Sequence, residues 1–112
     1  MKSSQIYLRF IALSKVVEES AMLPVLDPIE ERMLKVIAMA NTNKERLSVK
    51  DMMSKSDISS PATMHKNIQS LISKGWIFLE ETSDARRKQL QLTKETLRHY
   101  AKLGHALEKS IK

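Results

Sequence analysis

The feature that most constrains this sequence is a change of hydrophobic period at Gly75. Before it, Ser60-Pro61 reads as an N-cap followed by the first residue of a helix. Met64, Ile68, Leu71 and Ile72 then recur at helical spacing through Lys74. Gly75 stands where a left-handed residue closes a helix at little steric cost. After it the period becomes two: Trp76-Ile77-Phe78-Leu79 is an apolar strand and Gln89-Leu90-Gln91-Leu92 alternates. The polar stretch Glu80 to Lys88 between them, with Ser83-Asp84 near its middle, makes the tip of a β-hairpin. A capped helix feeding directly into a hairpin with a charged tip leaves few architectures open.

The flanking segments are helical. Residues 4–22 carry Ile6, Phe10, Leu13 and Val17 on one face and Leu8, Ile11 and Ala12 on another, before Pro24. Apolar groups on two faces predict a helix covered by something beyond its own small domain. Asp27-Pro28-Ile29-Glu30 is a capping box with proline at the first helical position, opening a helix that buries Ile29, Met33, Val36, Ile37 and Ala40 and ends at Asn41-Thr42-Asn43. Ser48-Val49-Lys50-Asp51 is a second box, starting a short helix to about Ser54. Two helices separated by about five residues form a helix-turn-helix unit. Thr93 opens a last helix in which Leu97, Tyr100, Gly104, Leu107 and Ile111 follow a spacing of three and four, the rhythm of a helix packed lengthwise on another. With only 4% aromatic residues and seven methionines, the core is filled by Leu, Ile, Val and Met, which suits helix packing.

The expected fold is therefore mainly α with one small antiparallel β-hairpin (α+β). It is a winged helix-turn-helix with N- and C-terminal dimerisation helices, in a single domain over 1–112. Its parts are a dimerisation helix at 1–25, a winged core at 26–93 and a second dimerisation helix at 94–112. The predicted dimer residues are Ile6, Phe10, Leu13, Val17, Leu97, Tyr100, Gly104, Leu107 and Ile111.

Charge points to the partner. The formal net charge is +6, and residues 1–43, with five basic and five acidic side chains, contribute none of it. Residues 44–112 carry fourteen basic and eight acidic side chains, which supplies the whole excess and suits a polyanion. No residue from Pro61 to Lys74 is acidic. Its outward positions offer Thr63, His65, Lys66, Gln69 and Ser70 as donors or acceptors for base edges and phosphates. Ser59 and Ser60 lie at a helix start whose free N–H groups suit a phosphate. The hairpin tip Asp84-Ala85-Arg86-Arg87-Lys88 puts three cations together, with Asp84 read as a carboxylate that positions an arginine for a narrow minor groove. These residues are the candidate contacts to double-stranded DNA.

The stretch Ser60-Pro61-Ala62-Thr63 through Leu71-Ile72-Ser73-Lys74-Gly75-Trp76-Ile77 resembles the MarR-type winged-helix transcriptional regulators. The resemblance continues through Ser83-Asp84-Ala85-Arg86-Arg87-Lys88 and Leu90-Gln91-Leu92-Thr93, and covers about residues 26–97. It implies a homodimer joined through its terminal helices, two recognition helices in successive major grooves, and Arg86 or Arg87 in the minor groove. It also implies a small-molecule effector, since family members often respond to aromatic or phenolic ligands. This chain is shorter than is usual for that family, which trims the dimer region where such a ligand would sit.

Other classes lose support. With no cysteine, disulfides and thiol-based sensing are excluded. His65, His99 and His105 lack the spacing of a shared metal site, so neither a metal nor a cofactor is expected. No nucleophile–base pairing or phosphate loop suggests an enzyme. No apolar run reaches membrane-spanning length and no signal-peptide order is visible, so a cytoplasmic location is expected. The rival reading is a winged-helix protein–protein interaction module. It predicts acidic or apolar residues on the outer face of Thr63 to Gln69, and this sequence has none there.

Overall fold

The computed structural model describes residues 2–55, 57–81 and 88–112. Among these residues five helices and a two-stranded hairpin follow in the order α1 (Ser3–Glu19), α2 (Pro28–Thr42), α3 (Val49–Met53), α4 (Pro61–Ser73), β1 (Ile77–Glu80), β2 (Gln89–Leu92) and α5 (Lys94–Ile111). The chain divides into two compact units, one of residues 1–22 with 94–112 and the other of residues 23–93. No described helix is long and apolar enough to cross a membrane.

In the central unit the local signals act as the sequence predicts. Asp27 accepts from the Glu30 N–H at 2.8 Å while the Glu30 carboxylate accepts from the Asp27 N–H at 3.0 Å, closing the first capping box. Ser48 and Asp51 close the second, at 3.1 and 3.0 Å. Ser60 caps α4 and Pro61 follows. Gly75 has φ +85°, the left-handed conformation that ends α4 and turns the chain into β1.

The core gathers Met33, Leu34, Ile37 and Ala40 of α2, Met52 of α3, Met64, Ile68 and Leu71 of α4, and Ile77 and Leu90 of the hairpin. Ile29 and Val36, expected inside, are only half-buried, and Leu34 takes an inner position instead. Strand β1 begins at Ile77 because Trp76 serves the core, where it is 6% exposed and donates its indole N–H to the Pro24 carbonyl at 2.9 Å. The strands pair antiparallel, Ile77 with Leu92 and Glu80 with Gln89.

The alternation of β2 predicts Gln89 outward, yet it is buried. The cause is a third segment along the far edge of β2. Ser48 forms a bridge to Gln89, and the Leu90 N–H donates to the Leu47 carbonyl at 2.8 Å. That pairing closes one edge of the small sheet and covers a side chain a bare hairpin would expose.

The other unit is α1 against α5. The helices run antiparallel: Arg9 donates to the main-chain oxygens of Lys112 and Lys109 at 2.7 and 3.1 Å, satisfying the carbonyl end of α5. At the other end, burial raises the Tyr100 pKa above its ordinary value and the Glu18 charge adds to the rise.

Candidate nucleic-acid interface

Helix α4 is two-faced. Met64, Asn67, Ile68 and Leu71 are buried, while Ala62, His65, Lys66, Gln69 and Ser73 are exposed on the opposite side. At 3.6 residues per turn the two sets fall about half a turn apart, so one side anchors the helix and the other is open to solvent. Of the predicted contacts, His65, Lys66 and Gln69 lie on the exposed face, where a cation, an imidazole and an amide can address base edges and phosphates.

The predicted residues near the start of α4 do a structural job as well. The Ser60 hydroxyl donates to Thr63 Oγ1 at 3.0 Å and accepts from the Thr63 N–H at 3.3 Å. Ser60 is exposed, whereas Ser59 and Thr63 are half-buried. Ser70 sits on the flank rather than the outer face. It is half-buried and favours the charged form of Glu30, so it serves the interior of the unit.

Asp84, Arg86 and Arg87 lie outside the described residues. Lys88, at the base of the tip, is exposed and its ammonium is 3.6 Å from the Glu81 carboxylate. A pair this exposed contributes little stability and leaves the cation available to another anion.

Two tertiary features that hold α4 and the hairpin in place are absent from the predicted set. Asn41, read as part of the stretch that ends the second helix, inserts its amide between α2 and β2. Its Nδ2 donates to the Leu90 carbonyl at 3.1 Å, and its Oδ1 accepts from the Leu92 N–H at 2.9 Å. The side chain thus fixes the hairpin as another strand would. Its position, four residues after the core residue Ile37, was the available hint.

Glu30, read as part of a capping box, is only 2% exposed and accepts from the Lys74 ammonium at 2.8 Å. Burial pushes its pKa up, but the Asp27 N–H, Lys74 and Ser70 outweigh that, leaving it lowered. Among the described residues no group completes a hydrogen bond to its buried Oε2. Lys74 also donates to the Val25 carbonyl at 3.0 Å, tying the end of α4 to the segment before α2. Glu30 lies three residues before the buried Met33, so its inward face was legible, but its partner forty-four residues away was not.

In the helical pair, the predicted dimer residues separate into two groups. Ile6, Phe10, Leu13, Val17 and Tyr100 are half-buried within the chain, and Gly104 is exposed. Leu97, Leu107 and Ile111 are 54%, 49% and 64% exposed, as an unpartnered surface would be. Helix α5 buries Thr96, His99, Ala106 and Ser110 instead, the same rhythm moved back by one residue. Compact side chains in that stripe permit close helix packing, and a one-residue shift turns the large aliphatic groups outward by about 100°. Tyr7, Leu8, Ile11 and Val16 of α1 are exposed too, in keeping with the second apolar face read from the sequence.

Among the described residues no group of three histidines or carboxylates is placed to hold a metal. An open depression of about 500 Å³ beside the hairpin is lined by Lys44, Arg46, Glu80 and Glu81 among others, mixing both signs without a nucleophile beside a base.

Comparison with solved structures identifies the arrangement. S. aureus MepR bound to ethidium bromide superposes with a TM-score of 0.61 at 14% identity, covering 97% of this chain and 77% of that one. The S. aureus MepR–DNA complex gives 0.60 at 14% identity, over 97% of this chain and 76% of that one. A MarR-like transcriptional regulator from Thermotoga maritima gives 0.58 at 16% identity, over 99% and 81%. The fold is that of the MarR-type winged-helix regulators. No protein-family model matches the sequence, and no curated protein does. At these identities the likeness is one of architecture. In that fold β1 and β2 form the wing that follows α4, and α1 and α5 are the terminal helices.

Proposed function

We propose that this chain is a homodimeric, sequence-specific transcriptional regulator of double-stranded DNA and not an enzyme. Helix α4 enters the major groove and Arg86 or Arg87 of the wing enters the minor groove. The observation that carries this reading is the outer face of α4: His65, Lys66 and Gln69 are exposed together, on a helix without a single acid. A protein-docking surface would show apolar or acidic groups there. The S. aureus relative of the same fold solved with DNA adds support. The exposed aliphatic groups of α1 and α5 support the dimer, because a surface of this kind is normally covered.

The test is salt-dependent binding to duplexes selected from a random pool. Affinity falls with a log–log slope of about −0.9 per phosphate neutralised. Changing Arg86 and Arg87 together to alanine weakens binding to all sequences, while Lys66→Ala or His65→Ala also alters sequence preference. A flat salt response, or full binding by the double arginine variant, refutes the reading.

A further inference from the structure

Two stretches of chain connect the units, between Met22 and Leu23 and between Thr93 and Lys94. In the central unit both are fastened to the same three residues, Lys74-Gly75-Trp76, which directly follow the last residue of α4. On the N-terminal side, the Trp76 indole donates to the Pro24 carbonyl at 2.9 Å and Lys74 donates to the Val25 carbonyl at 3.0 Å. On the C-terminal side, the Thr93 hydroxyl donates to the Gly75 carbonyl at 2.7 Å and the Thr93 N–H donates to the Trp76 carbonyl at 3.2 Å. The segment itself is held firmly, with Lys74 paired to the buried Glu30 and Trp76 in the core. Gly75 takes a backbone conformation that side-chain-bearing residues rarely adopt.

The consequence is mechanical. A displacement of either connection acts first on the C-terminal end of α4, through short hydrogen bonds that are part-buried at Trp76 and Thr93 and exposed at Lys74. A dimer presents two copies of α4 to two half-sites. One base pair of added spacing moves a half-site by about 3.4 Å and rotates it by roughly 35°. Tolerance to such a change depends on how freely α4 moves with respect to the connections.

We propose that Lys74, Trp76 and Thr93 are positioning residues that clamp both connections to the end of α4 and so set the half-site spacing the dimer accepts. This rests on the DNA-binding reading above. Base recognition stays with the outer face of α4, and the clamp determines where that face is presented.

The experiment uses the full chain and duplexes carrying the two selected half-sites at their selected spacing and at one and two base pairs more or less. A duplex with one half-site scrambled completes the set. Trp76→Phe with Thr93→Val removes the indole N–H and the hydroxyl while keeping an aromatic ring and an isosteric β-branched side chain, and Lys74→Met is the second variant. The unaltered protein discriminates against a one-base-pair change by about tenfold, equivalent to about 1.4 kcal/mol. In the double variant that ratio falls below about threefold, while affinity for the single half-site stays within about twofold. Retained spacing discrimination in a folded double variant overturns the proposal. Equal weakening on every duplex, including the single half-site, overturns it too, because it reveals damage to α4 alone. If the unaltered protein binds no duplex at low salt, the functional reading beneath the proposal is what fails.

Discussion

Removing Lys74 gives the sharpest energetic test of how α4 is held. Lys74→Met keeps most of the aliphatic stem but leaves the Glu30 carboxylate 2% exposed, with only the Asp27 N–H and Ser70, among the described residues, left to favour its charge. Breaking a fully buried pair costs about 3–5 kcal/mol. The ammonium here is 28% exposed, so water screens part of the interaction, and a loss of about 2–3 kcal/mol is expected. For a unit of this size that lowers Tm by roughly 8–24 °C. Trp76 is the single tryptophan and is buried in the affected unit, so its emission during urea or thermal unfolding reports the transition directly.

The sign of the pH dependence separates this explanation from simple loss of packing. In the unaltered protein the Glu30 pKa lies below its ordinary 4.5, so the pair's contribution is complete above that value and fades as pH falls through the lower, folded value. The penalty of Lys74→Met therefore shrinks on acidification, because a protonated Glu30 carries no unpaired charge. Adding Glu30→Gln to Lys74→Met recovers part of the loss at neutral pH, since a neutral amide keeps the capping oxygen without a charge to bury. A loss below about 1 kcal/mol, or one that stays constant through the acid range, refutes the reasoning.

Asn41→Ala leaves the Leu90 carbonyl and the Leu92 N–H without their side-chain partner, which costs about 2–4 kcal/mol by urea unfolding. The same variant weakens DNA binding through the wing, and an unchanged unfolding midpoint contradicts the role given to Asn41. Leu97→Glu with Leu107→Glu places charges on the exposed face of α5 and converts the dimer to a monomer in light scattering while helix content persists. A dimer of unchanged affinity locates the interface elsewhere.

The sequence by itself determined the local structure. Capping pairs at Asp27/Glu30 and Ser48/Asp51, proline at the start of α4, the left-handed Gly75 and the switch of period after it each depend on residues within a turn or two, so their physics is readable in order along the chain. The exposed face of α4 followed from the same periodicity. Tertiary structure alone decided which polar groups turn inward. Asn41 bonds to β2 across about fifty residues, Glu30 finds Lys74 across forty-four, and Leu47 closes the edge of β2 over Gln89. It also decided that α5 buries Thr96, Ala106 and Ser110 rather than its leucines, because helix packing selects the stripe that permits close approach. Hydrophobic periodicity locates a stripe, but a side chain's partner depends on which distant backbone arrives beside it, and no local pattern encodes that arrival.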